Sequence, residues 1–369
     1  MGSEMLAIIA ILAACLFAFN IGASGSAASM SITYGTKVIK QRKYALIIAG
    51  IGAITGAVLG GHHVTNTLGK GIISEEILDV KIACIILVVS GFTLLITNYI
   101  GIPLSTSEVT VGAIIGVGLS YKQLNLHTIL LIIGFWIIIP VAAFLITLCL
   151  EKIRKSLNNK INYQPPVKVL TFLLFLTGII EAIAAGMNNV ANALGPLVGA
   201  GITSMEMGLP LMAVIVALGS ILFGGRVLET NAKKITSLTL GNGIVISGAT
   251  GGLVVAASLL GIPIPMTQVT TSAIVGINAS NHFKEVWKQK IIHQIAKVWI
   301  TSPIVSLIIA FGLTEILVQQ SFDQVILLTL AIIATFILVR FREKPAKVNT
   351  KKGWDQHGES LLSGSRTRR

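Results

Sequence analysis

The sequence predicts an all-α protein that crosses a lipid bilayer many times and is built from two related halves inserted in opposite senses. Three observations predict it. Apolar stretches of spanning length recur from end to end, basic residues collect in the short gaps between them, and segments of the first half reappear in order in the second.

The apolar stretches set the class. Of 369 residues, 53% are hydrophobic and 12% charged, with mean hydropathy +0.84, so too few polar side chains exist to cover a soluble surface. The runs lie at 5–23, 44–61, 82–97, 128–150, 169–185, 208–224, 243–260, 291–313 and 325–339. With shorter pieces between them they predict about 10–12 membrane segments. Such repetition excludes a lone signal peptide or anchor. Cys15, Cys84 and Cys149 sit singly in apolar runs and read as packing residues.

The charges set orientation. A net charge of +13 could point to nucleic acid, but the basic residues lie in short loops with few aromatics interleaved, which is membrane topology and excludes a nucleic-acid partner. Lys37, Lys40, Arg42 and Lys43 form one cytoplasmic loop, and Lys152, Arg154, Lys155, Lys160 and Lys168 a second. The acidic stretch with Glu75, Glu76 and Asp79 then lies outside, and Glu229, Lys233 and Lys234 read as a hydrated face. Residues 169–207 must cross once, which predicts a broken helix or a re-entrant hairpin around the Gly/Asn-rich piece.

The duplication sets the architecture. Gly101–Gly116 matches Gly261–Gly276 at eight of sixteen positions, at an offset of 160. Trp136-Ile137 with Pro140 recurs as Trp299-Ile300 with Pro303, and Gly60-Gly61 with Val64, Thr67, Lys70 and Ile72 recurs as Gly224-Gly225 with Val227, Thr230, Lys233 and Ile235. The loop at 37–43 is basic and its counterpart near 204–207 is not, so the repeats are inverted, as in alternating-access transporters. Their expected extents are 1–160 and 161–340. Residues 341–369 form a basic tail expected to be disordered, ending in a run with the composition of an appended expression sequence.

Polar backbone at membrane depth is tolerated only where it lines a cavity or packs on protein. Four such clusters occur, two in each half: Gly22–Ser29, with Ser24, Gly25 and Ser26; Gly186–Asn192, with Asn188, Asn189 and Asn192; the Pro103 segment, with Ser105, Thr106 and Ser107; and the Pro263 segment, with Thr267 and Gln268. Proline before a short polar turn reads as a helix N-terminus, whose unpaired N–H groups suit an oxyanion. Gly52, Gly56 and Gly60 read instead as a close-packing face.

These clusters resemble the inorganic phosphate transporter (PiT) family over residues 5–316, and in detail are similar to the CysP-type bacterial sulfate permeases. The family's signature is a G-A-N-D-x-A-N string and a P-x-S-T segment in each half. The resemblance implies a homodimer in a bacterial plasma membrane, with an anion held between two hairpins. Where the signature has Asn-Asp, this chain has Ser24-Gly25 and Asn188-Asn189, and the last Asn is Ala28 in the first half. Sulfate accepts hydrogen bonds and cannot donate them, while phosphate near neutral pH still carries a proton, so loss of both carboxylates favours sulfate. The family's sodium ligands include those aspartates, which makes protons the expected driving ion and sodium-coupled phosphate symport the alternative.

Two carboxylates in the apolar background are candidates for the coupling proton, Glu108 and Glu181. Glu108 also completes a capping box with Ser105, and Glu181 could equally be a hydrogen-bonded packing residue. His62-His63 lacks a third ligand and reads as a solvated segment end, not a metal site. No P-loop, His-Glu-x-x-His or Gly-x-Ser-x-Gly occurs, which excludes an ATP-driven pump and the common hydrolases. No cofactor is expected. The expected activity is inward sulfate:proton symport by alternating access, with an anion channel a weaker alternative.

Overall fold

The computed structural model describes residues 2–100, 104–161, 165–234, 238–286 and 290–321. The expected tail and the 325–339 segment lie outside these residues. The order is α1 (Ser3–Ile21), α2 (Ala27–Ser29), α3 (Ser31–Gly35), α4 (Arg42–Asn66), α5 (Val80–Ile100), α6 (Thr106–Ser120), α7 (Leu126–Ile161), α8 (Val167–Gly199), α9 (Met205–Phe223), α10 (Gly225–Lys234), α11 (Leu240–Leu259), α12 (Met266–Val286) and α13 (Lys290–Leu317). Widened π-type turns follow α1 at Gly22–Ser26 and α4 at Thr67–Gly71. Among the described residues seven helices, counting those extensions, are long and apolar enough to cross a bilayer, and Thr106–Ser120 and Thr301–Leu317 are shorter apolar helices. The chain is a multi-pass membrane protein.

Side-chain size decides which helices meet. α4 lies along α8 because Gly52 faces Ala182, Gly56 faces the Ile183 backbone carbonyl, and Gly186 in return faces the Ala53 carbonyl. A Cβ at Gly56 or Gly186 would lie well inside van der Waals contact with that backbone, so the packing assigned to this glycine face holds. α1 packs on α5 as α8 packs on α11, and α6 packs on α13 as α12 packs on α7. Helices from before and after residue 161 are therefore interleaved. Trp136 on α7 fastens the crossing, its indole N–H donating to the Pro263 carbonyl at 2.8 Å.

Helix ends obey local chemistry. Asp79 caps α5 by accepting from the Ile82 N–H at 2.9 Å. α11 ends at Gly261, whose φ of +74° is the left-handed conformation that glycine adopts without a Cβ clash, while the Ile262 N–H reaches back to the Ala257 carbonyl. Pro263 and Pro265 then forbid further helix until α12 begins.

One expectation is corrected. The Gly/Asn-rich piece at 186–192 is neither a break nor a hairpin, because α8 runs unbroken through it from Val167 to Gly199. Glycine there serves close approach to α4, and the asparagines project from an intact helix. His62 and His63 are likewise helical, in the last turns of α4 and half-buried, with ring centroids 3.9 Å apart.

Candidate anion site

The first turn of α6 meets the middle of α8. Ser105 occupies the cap position of α6 with extended backbone, and Thr106 and Ser107 follow as its first helical residues. On α8, Asn188 and Asn192 lie four apart and so share a face. Asn192 Nδ2 stands 3.3 Å from both Thr106 Oγ1 and Ser107 Oγ, Asn188 Nδ2 stands 3.2 Å from Ser107 Oγ, and Thr106 Oγ1 donates to Asn189 Oδ1 at 3.2 Å. All five side chains are buried, and none carries a charge. Gly25 joins them from the turn after α1. A Cβ at Gly25 would stand 3.0 Å from Asn189 Nδ2, so this position lets the amide come close. Three of the four clusters predicted from sequence thus converge directly, on neutral donors set at a helix N-terminus.

The fourth cluster enters through its backbone. Asn188 Nδ2 donates to the Ile264 carbonyl at 2.8 Å and the Ile264 N–H donates to Asn188 Oδ1 at 2.8 Å. Asn188 is therefore a clamp on the segment between Pro263 and Pro265 as much as a donor to the cluster. Gln268 on α12 is buried and its Nε2 donates to Glu108 Oε1.

Other predicted residues stand apart. Thr267 is exposed, and its carbonyl accepts from the Thr271 hydroxyl. Ser24 turns back to the Asn20 carbonyl at 2.9 Å, while Ser26 is fully buried with its hydroxyl unpartnered and its carbonyl accepting from Ser29. The Ser105 hydroxyl makes no capping bond, so the capping box expected with Glu108 lacks its serine half. Accordingly, Ser105→Ala should change sulfate binding by less than about 0.5 kcal/mol, as measured by calorimetric titration of purified protein.

The two candidate carboxyls are both buried, each with Oε2 unpartnered. Glu108 lies beside the Ser302 hydroxyl of α13 and the Ser105 backbone, in addition to Gln268. Glu181 lies beside Ser247 of α11 and Thr270 of α12. A third buried carboxylate, Glu151 on α7, is held by Arg154 at 2.7 Å and Lys155 at 3.5 Å, which makes it a charge-paired structural group. Sequence reasoning missed Ser302, Ser247 and Thr270, and also Asn98, whose Nδ2 donates to Asn20 Oδ1 at 2.8 Å. Single hydroxyls in apolar runs commonly bond their own backbone one turn back, so spacing alone does not distinguish them.

Residues 21–310 match a family model described as the phosphate transporter family. The chain is 42% identical over 325 residues to the sulfate permease CysP of Bacillus subtilis, a match that covers 88% of this chain and 92% of that protein. Its fold is similar to a solved structure titled the sodium-dependent phosphate transporter, with a TM-score of 0.71 and 24% identity, covering 85% of this chain and all of that one.

Proposed function

We propose that this chain, which belongs to the phosphate transporter family, is a plasma-membrane sulfate permease that works as a sulfate:proton symporter by alternating access. One observation carries the choice of anion. The positions where the family signature has aspartate are Gly25 and Asn189, and they face each other in a cluster of neutral donors with Thr106, Ser107 and Asn192. Amide and hydroxyl hydrogens can serve all four oxygens of a dianion that only accepts. A hydrogenphosphate would in addition bring an O–H that must donate, and none of these five residues offers it a carboxylate, as an aspartate at position 25 or 189 would. The 42% identity to a sulfate permease supports the same reading.

Alternating access rests on inverted repeats, which the recurring order and pairing of helices support: α1, α4, α5, α6 and α7 correspond to α8, α9, α11, α12 and α13. The cluster joins the first half's α6 to the second half's α8, so a rocking of one half against the other would open it. A homodimer belongs to the same proposal by family likeness.

Radiolabelled sulfate uptake into proteoliposomes tests the reading, with pH and sodium gradients imposed separately and phosphate as competitor. Uptake driven by an inward proton gradient, and inhibited at least about tenfold more weakly by phosphate than by unlabelled sulfate, is the expected result. Equal inhibition by the two anions would remove the sulfate assignment. Uptake driven by sodium alone would return the chain to the sodium-coupled phosphate mechanism named for its structural relative.

A further inference from the structure

Glu108 and Gln268 occupy the same position in the two aligned segments, 160 residues apart, and their side chains are hydrogen-bonded to each other. Equivalent groups of two halves related by a two-fold rotation can touch only beside the rotation axis. The contact therefore marks where that axis runs, through the first turns of α6 and α12. It also lies against the anion cluster, because Ser107 precedes Glu108 and binds Asn188 and Asn192, while Asn188 clamps Ile264 just ahead of α12.

Among the described residues, the surroundings leave this carboxyl without a fixed countercharge. Ser302 comes from α13, whose described ionisable side chain, Glu315, is about 20 Å further along the helix. From α5 the charged side chain is Lys81, in its first turn, which lies toward the Tyr121 end of α6 and away from Glu108, and from the turn after α4 it is Lys70, which pairs with Glu75 at 3.2 Å. α8 faces the cluster with asparagines, and its carboxyl Glu181 lies beside Ser247 and Thr270. On α12 the packed charges from α7 are Glu151, Arg154 and Lys155, at the Ser280 end remote from Gln268.

We propose that Glu108 and Gln268 act as one proton-carrying unit on the axis between the halves, in which the carboxyl can sit on either member. This rests on the proton-symport reading above. As a carboxylate, Glu108 accepts from the Gln268 amide N–H. With a proton taken from the external face, its O–H donates to the Gln268 amide oxygen after the amide turns, and the proton leaves to the cytoplasmic face when sulfate leaves. The tie between α6 and α12 survives both states. A dianion bound at Thr106 and Ser107 repels a neighbouring carboxylate, so proton and sulfate binding assist each other. Because the site lies on the axis, a carboxyl moved to position 268 would meet the same cluster and the same partner.

The test compares wild type, Glu108→Gln, Gln268→Glu and the exchanged double variant in proteoliposomes. It reads pH-driven accumulation relative to counterflow, together with the infrared carboxyl band that changes on adding sulfate. Glu108→Gln is expected to lower the accumulation ratio about tenfold and to remove the band change, and the exchanged variant to recover both. A monodisperse exchanged variant that behaves like Glu108→Gln would overturn the shared unit. So would a Glu108→Gln protein with an undiminished pH response, and Glu181→Gln measured alongside would show whether that carboxyl carries the proton instead. If Gln268→Glu or the exchanged protein does not fold, the infrared change in wild type against Glu108→Gln still decides whether Glu108 exchanges a proton. Wild type driven by sodium alone defeats the symport reading separately, and the absence of any infrared carboxyl change defeats the unit.

Discussion

Asn188→Ala is expected to weaken sulfate binding by about tenfold to a hundredfold and to lower thermal stability, whereas Ser105→Ala does neither. The reason is where the amide sits. Asn188 exchanges two hydrogen bonds of 2.8 Å with the backbone of Ile264, in a segment that Pro263 and Pro265 keep from forming helix. Removing the amide leaves a buried N–H and a buried carbonyl without partners, at a cost of about 1–3 kcal/mol each. It also removes the donor to Ser107. Both losses act on the same residues, because the Ile264 segment sets where α12 starts and Ser107 is part of the anion cluster. Titration calorimetry and a melting curve on detergent-purified protein measure the two effects. Binding and melting equal to those of Ser105→Ala would show that Asn188 neither clamps nor donates.

Gly56→Leu is expected to abolish recovery of folded protein altogether, the largest effect of any single change considered. The Ile183 carbonyl and the Met187 N–H of α8 occupy the space that a side chain at position 56 would need. Neither is the end of a flexible side chain, so α4 and α8 would have to separate. Their separation would displace Ala53, Ala57 and Val190 from the apolar core they share and would move Asn188 and Asn189 with α8. Without a hydrophobic force between helices in lipid, this close backbone contact is a main source of association, so little remains to offset its loss. Gly134→Ala is the control, since nothing lies within 4 Å of a Cβ there. Fluorescence-detected size exclusion of membrane extracts distinguishes the two. A monodisperse Gly56→Leu peak at wild-type height would show that the α4–α8 contact does not hold the fold.

Much of this architecture is legible in the residues themselves. Lipid as solvent follows from a composition that cannot cover a soluble surface, and helix from the requirement that backbone in lipid bond to itself. The Gly52–Gly60 face and the polar segments at 24–26, 105–108 and 188–192 stand out because small or polar residues in an apolar run need a local reason. Alignment of Gly101–Gly116 with Gly261–Gly276 puts Glu108 and Gln268 at one position. What these signals share is that each depends on neighbours along the chain.

The tertiary structure decided everything that depends on neighbours across it. Asparagine and glycine at 186–192 have the composition of a break, yet α8 continues, because the backbone of α4 fits against Gly186 and the amides find partners on α6 and on the segment before α12. Thr267 carries the same polar side chain as Thr106 but faces outward, a difference set by helix rotation and not by residue type. Ser302 and Ser247 acquire meaning only when α13 and α11 bring them beside Glu108 and Glu181. The bond between Glu108 and Gln268 is of the same kind. Sequence aligns the two residues, but only the packing of helices distant in the chain brings their side chains into contact.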